Sequence, residues 1–170
     1  MKKEFSSARG EFFSKCDSDI LNFYPVKERV TTETDGTEIF LPISIFGNSN
    51  LSALEAITKY MKEEVGLRYR DIAFFLNRDE RTIWGSYYSS KIKMPSRFVI
   101  NDSALFIPCS LFKDRLLGVL EVIAEYLKDE LQFRYCKIAS MLNRDDRTIW
   151  TVYNRAKKKR RAIANGSLLR

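Results

Sequence analysis

A nine-residue stretch occurs twice in this chain of 170 residues, as residues 76–84 and again as residues 142–150. The two stretches differ at one position, where Glu80 becomes Asp146, and they lie 66 residues apart. At that offset, without a gap, residues 38–93 are identical to residues 104–159 at 26 of 56 positions. The sequence therefore predicts an internal duplication, in which each copy repeats the fold of the other.

The residues around the shared stretch predict two short helices joined by a tight turn. Four apolar residues mark one face of the earlier helix: Tyr69, Ile72, Ala73 and Leu76. Asn77 follows, and asparagine tolerates the left-handed backbone that stops a helix abruptly. Asp79 can cap the next helix by accepting from the free amides of its first turn. That next helix is expected to bury Ile83 and Tyr87.

This arrangement resembles the helix-turn-helix of DNA-binding regulators, in a three-helix form similar to sigma factor region 4 and homeodomain-like modules. The resemblance covers the two short helices and the turn of each copy. In the family the turn usually carries glycine and then an apolar residue, whereas this chain carries Asn77 and Arg78, repeated as Asn143 and Arg144. The resemblance implies that the last helix of each copy enters a DNA groove.

The pattern along the chain predicts a mainly α fold with short β-hairpins (α+β), in which each copy is a hairpin followed by three helices. Asp35 and Gly36 lie between β-branched residues, a strong hairpin signal, and Asn101 and Asp102 hold the equivalent place in the second copy. The second hairpin is nearly all apolar and is expected to be buried, with both hairpins in one four-stranded sheet. We expect an N-terminal helical extension at 1–28, repeats at 29–94 and 95–161, and a C-terminal tail at 162–170.

Each predicted helix has a counterpart in the other copy. Apolar positions 54, 57, 61 and 65 recur at 120, 123, 127 and 131 and mark the first helix, with Lys59, Lys62, Glu63 and Glu64 on its outer face. The second helix is expected from Tyr69 to Leu76 and the third from Glu80 to about Ile92. In the second copy the third helix meets no breaker before Arg161. A third helix of this length, ~20 Å, can cross a major groove. A further helix over 7–24 could cap the core, cover a strand edge or make a dimer contact, and the oligomeric state stays open.

The net charge of +7 is concentrated in one segment, because residues 157–170 carry six Lys and Arg and no acid while the rest of the chain is nearly neutral. A basic run such as Lys157–Arg161 suits a polyanion, and nucleic acid is the first candidate. The alternative is a solvated helix end whose cations complement the negative end of the helix dipole.

Several function classes are disfavoured by composition. The chain has no histidine, the usual general base and transition-metal ligand, and its cysteines Cys16, Cys109 and Cys136 are too far apart in sequence for a zinc motif. No acidic cluster, glycine-rich phosphate loop or nucleophile elbow is present, so neither an enzyme nor a cofactor is expected. There is no apolar run long enough to span a membrane and no secretion signal, which favours a cytoplasmic protein located at the nucleoid.

The resemblance also implies which side chains meet DNA. Residues near the start and on the outer face of the third helices would reach base edges: Arg81, Trp84, Gly85 and Tyr88, with Arg147, Trp150, Thr151 and Asn154. Phosphate contacts are expected at the start of the second helices, in the turns and in the basic segment: Arg68, Tyr69, Arg78, Arg134, Tyr135, Arg144, Arg155, Lys157, Lys158, Lys159, Arg160 and Arg161. Arginine suits guanine and asparagine suits adenine in the major groove.

Each of these residues also has a purely structural interpretation. Arg68 and Arg134 follow Glu64 and Glu130 by four residues and could form surface ion pairs. The arginines at 81 and 147 could fold back onto nearby carboxylates. The tryptophans at 84 and 150 could pack against a hairpin or the other copy, and the tyrosines at 87 and 153 could belong to the core. The acids at 80 and 146 have no evident role beside DNA and favour a protein partner instead.

The leading hypothesis is a sequence-preferring protein that binds double-stranded DNA, a transcription regulator or nucleoid-associated factor. Arg81 and Trp84 recur in the second copy while Gly85 and Tyr88 do not, so the two copies should recognise related but non-identical half-sites. Joining two weak modules on one chain raises the effective concentration of the second to the order of mM. Two alternatives remain: a protein-interaction module that docks on transcription or chromosome machinery, and RNA binding by the basic tail.

Overall fold

The computed structural model describes residues 38–100 and 105–165, and these ranges hold two successive sets of elements. The first set is β1 (Phe40–Pro42), a 3-10 turn (Ile43–Gly47), α1 (Ala53–Glu63), α2 (Tyr69–Phe75) and α3 (Glu80–Lys93). The second set is β2 (Phe106–Pro108), a 3-10 turn (Cys109–Lys113), α4 (Val119–Asp129), α5 (Tyr135–Leu142) and α6 (Asp146–Ala164). Every element of the second set begins 66 residues after its counterpart. The expectation of a mainly α fold with a small β component is confirmed.

The first helix of each set begins at a position that its capping residues define. Ser52 Oγ accepts from the Glu55 amide (3.3 Å) while Glu55 Oε2 accepts from the Ser52 amide (2.8 Å), a reciprocal capping box at the start of α1. At the start of α4, Gly118 has no side chain to contribute. Only the second half of the box remains there, with Glu121 Oε2 accepting from the Gly118 amide at 2.8 Å.

The tight turns form as the sequence predicts. Asn77 and Asn143 both adopt the left-handed backbone, with φ of 49°. The aspartates that follow, Asp79 and Asp145, cap α3 and α6 by accepting from the amides two residues further on, each at 2.8 Å. The helix boundaries around these turns were therefore predictable from residue type alone, because asparagine and aspartate each satisfy a specific backbone requirement.

The two strands pair with each other across the two halves. The antiparallel register is two-fold symmetric in three pairs: Phe40 with Pro108, Leu41 with Ile107 and Pro42 with Phe106. Two further backbone hydrogen bonds repeat the symmetry, from Ile43 N to Leu105 O (3.1 Å) and from Cys109 N to Ile39 O (2.7 Å). The two halves thus meet through the same surface on each, as the subunits of a symmetric dimer do.

The second predicted hairpin is corrected, while residues 29–37 of the first lie outside the described residues. Residues 97–100 form no strand, and Val99 is 85% exposed, so the expected buried second hairpin is wrong for this segment. The strand β2 takes its partner from the other half, and the central residues of the two strands, Leu41 and Ile107, face each other and are fully buried in the common core. The described ranges contain a two-stranded sheet instead of the expected four strands. The hairpin turns at 35–36 and 101–102, and the helix predicted over 7–24, lie outside the described residues.

One hydrophobic core serves both halves. Its fully buried members occur as equivalent pairs: Ile57 with Ile123, Met61 with Leu127, Ile72 with Ile138, Leu76 with Leu142, and Ile83 with Ile149. The equivalent residues Phe46 and Phe112 contact each other with ring centroids 6.4 Å apart, which joins the halves at the symmetric interface. No helix within 38–100 or 105–165 has the length and apolar character that a membrane crossing requires.

Lys59 departs from its expected place on the outer face of α1. Its side chain is 0% exposed, and its Nζ lies 2.8 Å and 2.7 Å from the two carboxylate oxygens of Glu63. The Tyr87 hydroxyl donates to Glu63 Oε1 from α3 at 3.2 Å. The expectation failed because spacing alone did not show that α3 packs over this part of α1. The packing of α3 buries the ion pair that Lys59 and Glu63 form within α1.

Candidate nucleic-acid interface

The outer side of α6 presents polar and basic residues at helical spacing. We call this set the α6 stripe, and all of its members are exposed: Arg147, Thr151, Asn154, Lys158 and Arg161. The opposite side of the same helix buries Ile149, Val152 and Ala156. The burial pattern therefore turns the stripe away from the core along the whole helix, as a surface that meets a partner requires.

Two members of the α6 stripe already use a donor within the helix. The Thr151 hydroxyl donates to the Arg147 carbonyl at 2.7 Å, and Asn154 Nδ2 donates to the Trp150 carbonyl at 2.9 Å. A two-pronged contact between asparagine and adenine needs both the amide donor and the amide acceptor. The hydrogen bond to the Trp150 carbonyl uses one of the two amide hydrogens of Asn154, which leaves one donor and the acceptor for adenine.

The outer side of α3 carries the equivalent positions with different chemistry. We call this set the α3 stripe: Arg81, Gly85, Tyr88 and Ile92. Trp84 lies beside it and stacks on Tyr88, with ring centroids 5.5 Å apart and planes 9° from parallel. Beyond Arg81 this stripe is aromatic and aliphatic, whereas the α6 stripe is polar and basic.

The tryptophans are surface residues. Trp84 is 52% exposed and Trp150 is 55% exposed, so the interpretation that they pack against a hairpin or the other copy is wrong. Arg81 and Arg147 are also exposed, and within the described residues neither side chain forms an ion pair, contrary to the expected fold-back onto carboxylates. These four side chains therefore stay accessible to a ligand.

Most cations of the basic segment, Lys157–Arg161, form ion pairs with carboxylates of the same chain. Three of its cations are held by carboxylates: Lys157 by Asp129, Lys159 by Glu121 (2.7 Å), and Arg160 by Asp114 (2.9 Å) and Glu125 (3.1 Å). The hydrogen bond to Asp129 raises the pKa of Lys157, and that to Glu125 raises the pKa of Arg160. Within the described residues Lys158 and Arg161 form no ion pair. α6 contains the whole run, as the absence of a helix breaker predicted, and directs two of its cations outward.

The first half of the chain has a matching ion pair. Lys93 Nζ lies 2.8 Å from Glu55 Oε1, and these two positions are equivalent to Lys159 and Glu121. Arg155, which is also expected at phosphate, lies 3.9 Å from Glu121 and is exposed. The recurrence of the lysine–glutamate pair indicates a structural role that fastens the third helix of each half to the first.

The residues at the start of the second helices divide into two groups. Arg68 and Arg134 are exposed, and Arg68 pairs with Asp71 at 2.9 Å rather than with the glutamate expected before it. Tyr69 and Tyr135 are half-buried instead of facing outward. Each packs against the tyrosine of the third helix with ring centroids 5.8 Å apart: Tyr69 on Tyr87, and Tyr135 on Tyr153. The tyrosines thus stabilise the fold, and only the arginines remain available to phosphate.

The third-helix tyrosines are half-buried rather than fully in the core. The Tyr153 hydroxyl donates to Asp129 Oδ1 at 2.8 Å, as the Tyr87 hydroxyl does to Glu63. The hydroxyl groups therefore reach a carboxylate at the edge of the helix packing while the rings stay inside.

The turn arginines lie at the interface between the halves. Arg144 Nη2 donates to the Leu51 carbonyl of the other half at 3.2 Å, so this guanidinium uses part of its donor capacity inside the protein. Arg78 is half-buried, and within the described residues its Nε has no hydrogen-bond partner. Burial, followed by the charge of Arg115, lowers the pKa of Arg78. The two equivalent arginines thus differ, since one is satisfied by backbone and the other is not.

Sequence reasoning missed three residues beside Arg78: Phe74, Lys113 and Arg115. They fall where the copies differ, opposite Ser140, Gly47 and Ser49, so a comparison restricted to shared residues passes over them. The described residues contain no group of three or more Cys, Asp or Glu side chains that could hold a metal ion.

No protein-family model, curated protein or solved structure matches this chain.

Proposed function

We propose that this protein binds double-stranded DNA through two duplicated helix-turn-helix units, with α3 and α6 as the groove-facing helices. The proposal rests chiefly on the α6 stripe, where exposed arginine, asparagine and lysine lie on one face of a helix of 19 residues. A helix of that length is ~28 Å long, and its diameter of about 10–12 Å matches the width of a major groove. Trp150 lies beside the stripe, and its exposed ring adds an apolar surface for bases or sugars.

The symmetric contact between the halves adds an expectation about the target. Inverted pairing of β1 with β2 relates the two units as in a two-fold dimer, and such dimers read inverted half-sites rather than direct repeats. Because the α3 and α6 stripes differ beyond their shared arginine, the two half-sites should be related but not identical. The favoured target is thus an imperfect inverted repeat.

The experiment is selection of duplexes from a random pool, followed by fluorescence anisotropy over a salt series. Lys158→Ala with Arg161→Ala removes the two outward cations of the basic segment, and the slope of log affinity against log salt should fall by ~1.8. Lys157→Ala with Lys159→Ala removes two cations that are held by carboxylates and should change the slope much less. Duplex binding that is absent, or independent of salt, contradicts the proposal.

A second candidate function rests on the α3 stripe. The stacked pair Trp84 and Tyr88, continued by Ile92, forms an exposed apolar surface that suits a protein partner in the transcription or chromosome machinery. In a pull-down, Trp84→Ala would then lose the partner while duplex affinity stays unchanged, and Trp150→Ala is the matched control. RNA binding by the basic tail has less support, since most of that segment is paired internally.

We further propose a cytoplasmic location at the nucleoid and action without a cofactor, in keeping with DNA as the ligand. Microscopy of a fluorescent fusion provides the test, because co-localisation with DNA should be lost in the variant Lys158→Ala with Arg161→Ala.

A further inference from the structure

A cleft of about 450 Å³ opens between the turn after α2 and the segment that leads into α4. Six residues from both halves line it: Ala73, Phe74, Asn77, Arg78, Lys113 and Arg115. Asn77 Nδ2 donates to the Lys113 carbonyl at 3.2 Å and ties one wall to the other. The cleft is therefore formed by the contact between the halves rather than by a single loop.

The charges in this cleft all have one sign. Arg78, Lys113 and Arg115 line it, and no carboxylate is among its lining residues. Asp114, the acid between two of these cations, is turned to other partners: its Oδ2 accepts from Arg160 Nη1 and its Oδ1 from the Leu116 amide, each at 2.9 Å. Within the described residues none of the three cations has an ion pair. Such a cluster attracts an anion, because the repulsion among its members is relieved when one binds.

Among the three cations, Arg78 gives the strongest reason to expect a bound anion. Its Nε is buried without a hydrogen-bond partner in the described part of the chain. Burial and the nearby charge of Arg115 both lower its pKa. A buried guanidinium donor that nothing satisfies is costly, and an acceptor oxygen entering the cleft would remove that cost.

Phe74 provides an aromatic wall beside the cations. It is 76% exposed, and its ring makes a T-shaped contact with Phe75 with centroids 6.0 Å apart, so most of the ring surface faces solvent. Exposed aromatic rings next to a basic groove are the elements that hold nucleotides, with a base stacked on the ring and phosphate on the cations.

We propose that this cleft binds a nucleotide, with its phosphate on Arg78, Lys113 and Arg115 and its base on Phe74. The shared chemistry is a phosphate linked to an aromatic base, and its source is either a free nucleotide or a nucleotide within a nucleic-acid strand. The site stands apart from the α3 and α6 stripes, so it does not depend on groove reading by those helices.

The other half of the protein serves as a built-in control. The positions equivalent to Phe74, Lys113 and Arg115 hold Ser140, Gly47 and Ser49, which offer neither charge nor ring. The equivalent of Arg78 there donates to a backbone carbonyl. We therefore expect one nucleotide per chain rather than two.

The test uses the full chain in isothermal titration calorimetry with three small probes: inorganic phosphate, a nucleoside 5′-monophosphate and the same nucleoside without phosphate. The variant Lys113→Ser with Arg115→Ser should weaken phosphate and nucleotide binding about tenfold or more, since each lost bond to a charged group is substantial. The matched control, Arg70→Ser with Lys137→Ser, removes two exposed cations that do not line the cleft and should leave both affinities unchanged. Phe74→Ser should preserve phosphate binding and reduce the advantage of the nucleotide over phosphate by about fivefold or more.

The same variants are then titrated with single-stranded and duplex oligonucleotides, which separates the two sources. If the small probes bind wild type and lose affinity in the cleft variant, the site takes a free nucleotide. If only oligonucleotides lose affinity, with the control variant unaffected, the nucleotide belongs to a strand. The inference is overturned if neither small probes nor oligonucleotides distinguish the cleft variant from its control. If duplex binding persists unchanged in that case, the proposed function stands without the nucleotide site. If the chain binds nucleotides but no duplex, the nucleotide site stands and the proposed function is contradicted.

Discussion

The interiors of the two halves are alike, and their exteriors are not. Ile83 and Ile149 are identical and fully buried at the same place in their helices, while Tyr88 and Asn154 are exposed and different. A residue packed among many neighbours cannot change without creating a cavity or a clash, whereas an outward residue is free to acquire a new role. The halves therefore share a scaffold and differ in the surfaces that they present.

Arg81 and Trp84, with Arg147 and Trp150, do not follow that division. These residues are exposed in both halves and yet identical. Packing against the core gives no reason for an exposed tryptophan, and the identity agrees with the proposal that both third helices face a ligand. The two halves therefore share the exposed residues at the start of the third helix and differ in the exposed residues further along it.

The largest difference in stability should come from one carboxylate. Glu63 in α1 neutralises fully buried Lys59, whereas its equivalent Asp129 in α4 neutralises partly exposed Lys157 from α6. Glu63→Gln leaves a buried cation without a counter-charge and should lower the free energy of unfolding by ~3–5 kcal/mol. Asp129→Asn leaves its cation in contact with water and should cost at most ~1 kcal/mol. Urea unfolding of the two variants measures the difference.

The control for this pair is Glu64→Gln, which removes a charge from the neighbouring exposed position and should be nearly silent. Equal losses in the variants at 63 and 129 would show that the two ion pairs are equivalent despite their different burial.

The turn arginines give the next largest difference. Arg144 donates to a backbone carbonyl across the interface, so Arg144→Ala should lower the free energy of unfolding by ~1.5–3 kcal/mol. Arg78 is half-buried with an unsatisfied Nε beside the charge of Arg115, so Arg78→Ala should change stability by less than ~1 kcal/mol in either direction. Thermal and urea unfolding both report the effect, and a larger loss at 78 than at 144 contradicts the asymmetry.

Helix ends were predictable from the sequence because single residues determine them. Asn77 and Asp79 each meet one backbone requirement, and their repetition at 143 and 145 doubled the signal. The third helices were placed for the same reason, and α6 continues through the basic segment because no breaker interrupts it.

What the sequence did not reveal depends on contacts between distant residues. Lys59 was placed on the surface because spacing cannot show which helix packs over it. Trp84 and Trp150 were assigned to the outer face, with packing as the alternative, because large apolar side chains are usually buried and residue type alone does not decide between the two. One sheet shared by both halves was expected, but the direct pairing of β1 with β2 was not predicted, for a related reason. A strand of three residues has no preference for a local partner over a distant one, and burial of Leu41 and Ile107 decides between them.

The outward difference between the stripes can be tested by exchanging them. Asn154→Tyr with Lys158→Ile gives α6 the chemistry of α3 and should weaken duplex binding by ~1–3 kcal/mol, since a base contact and a phosphate contact are lost. The reverse exchange, Tyr88→Asn with Ile92→Lys, should leave duplex affinity the same or strengthen it. It should abolish the binding of any protein partner that docks on the α3 stripe. Anisotropy with the selected duplex measures both. If both exchanges weaken duplex binding equally, the two stripes contribute equally to DNA binding despite their different chemistry.

The smallest expected effect is a pH dependence that arises in the first half. Burial acts to raise the pKa of Glu55, but hydrogen bonds from Lys93 and the Ser52 amide outweigh it, and the net pKa lies below the ordinary value of 4.5. A carboxylate whose pKa is lowered by folding stabilises the protein fully above its unfolded pKa, and this contribution is lost as the pH falls through the folded value. Unfolding free energy measured downward from pH 5 should therefore decline, and Glu55→Gln should remove a part of that decline no larger than ~1 kcal/mol. Because Lys93 is partly exposed, the slope should shrink as salt is added. If the unfolding free energy of Glu55→Gln declines with falling pH as steeply as that of wild type, the charge of Glu55 does not contribute to the pH dependence. The pair with Lys93, which recurs as Lys159 with Glu121, would then only position the third helix.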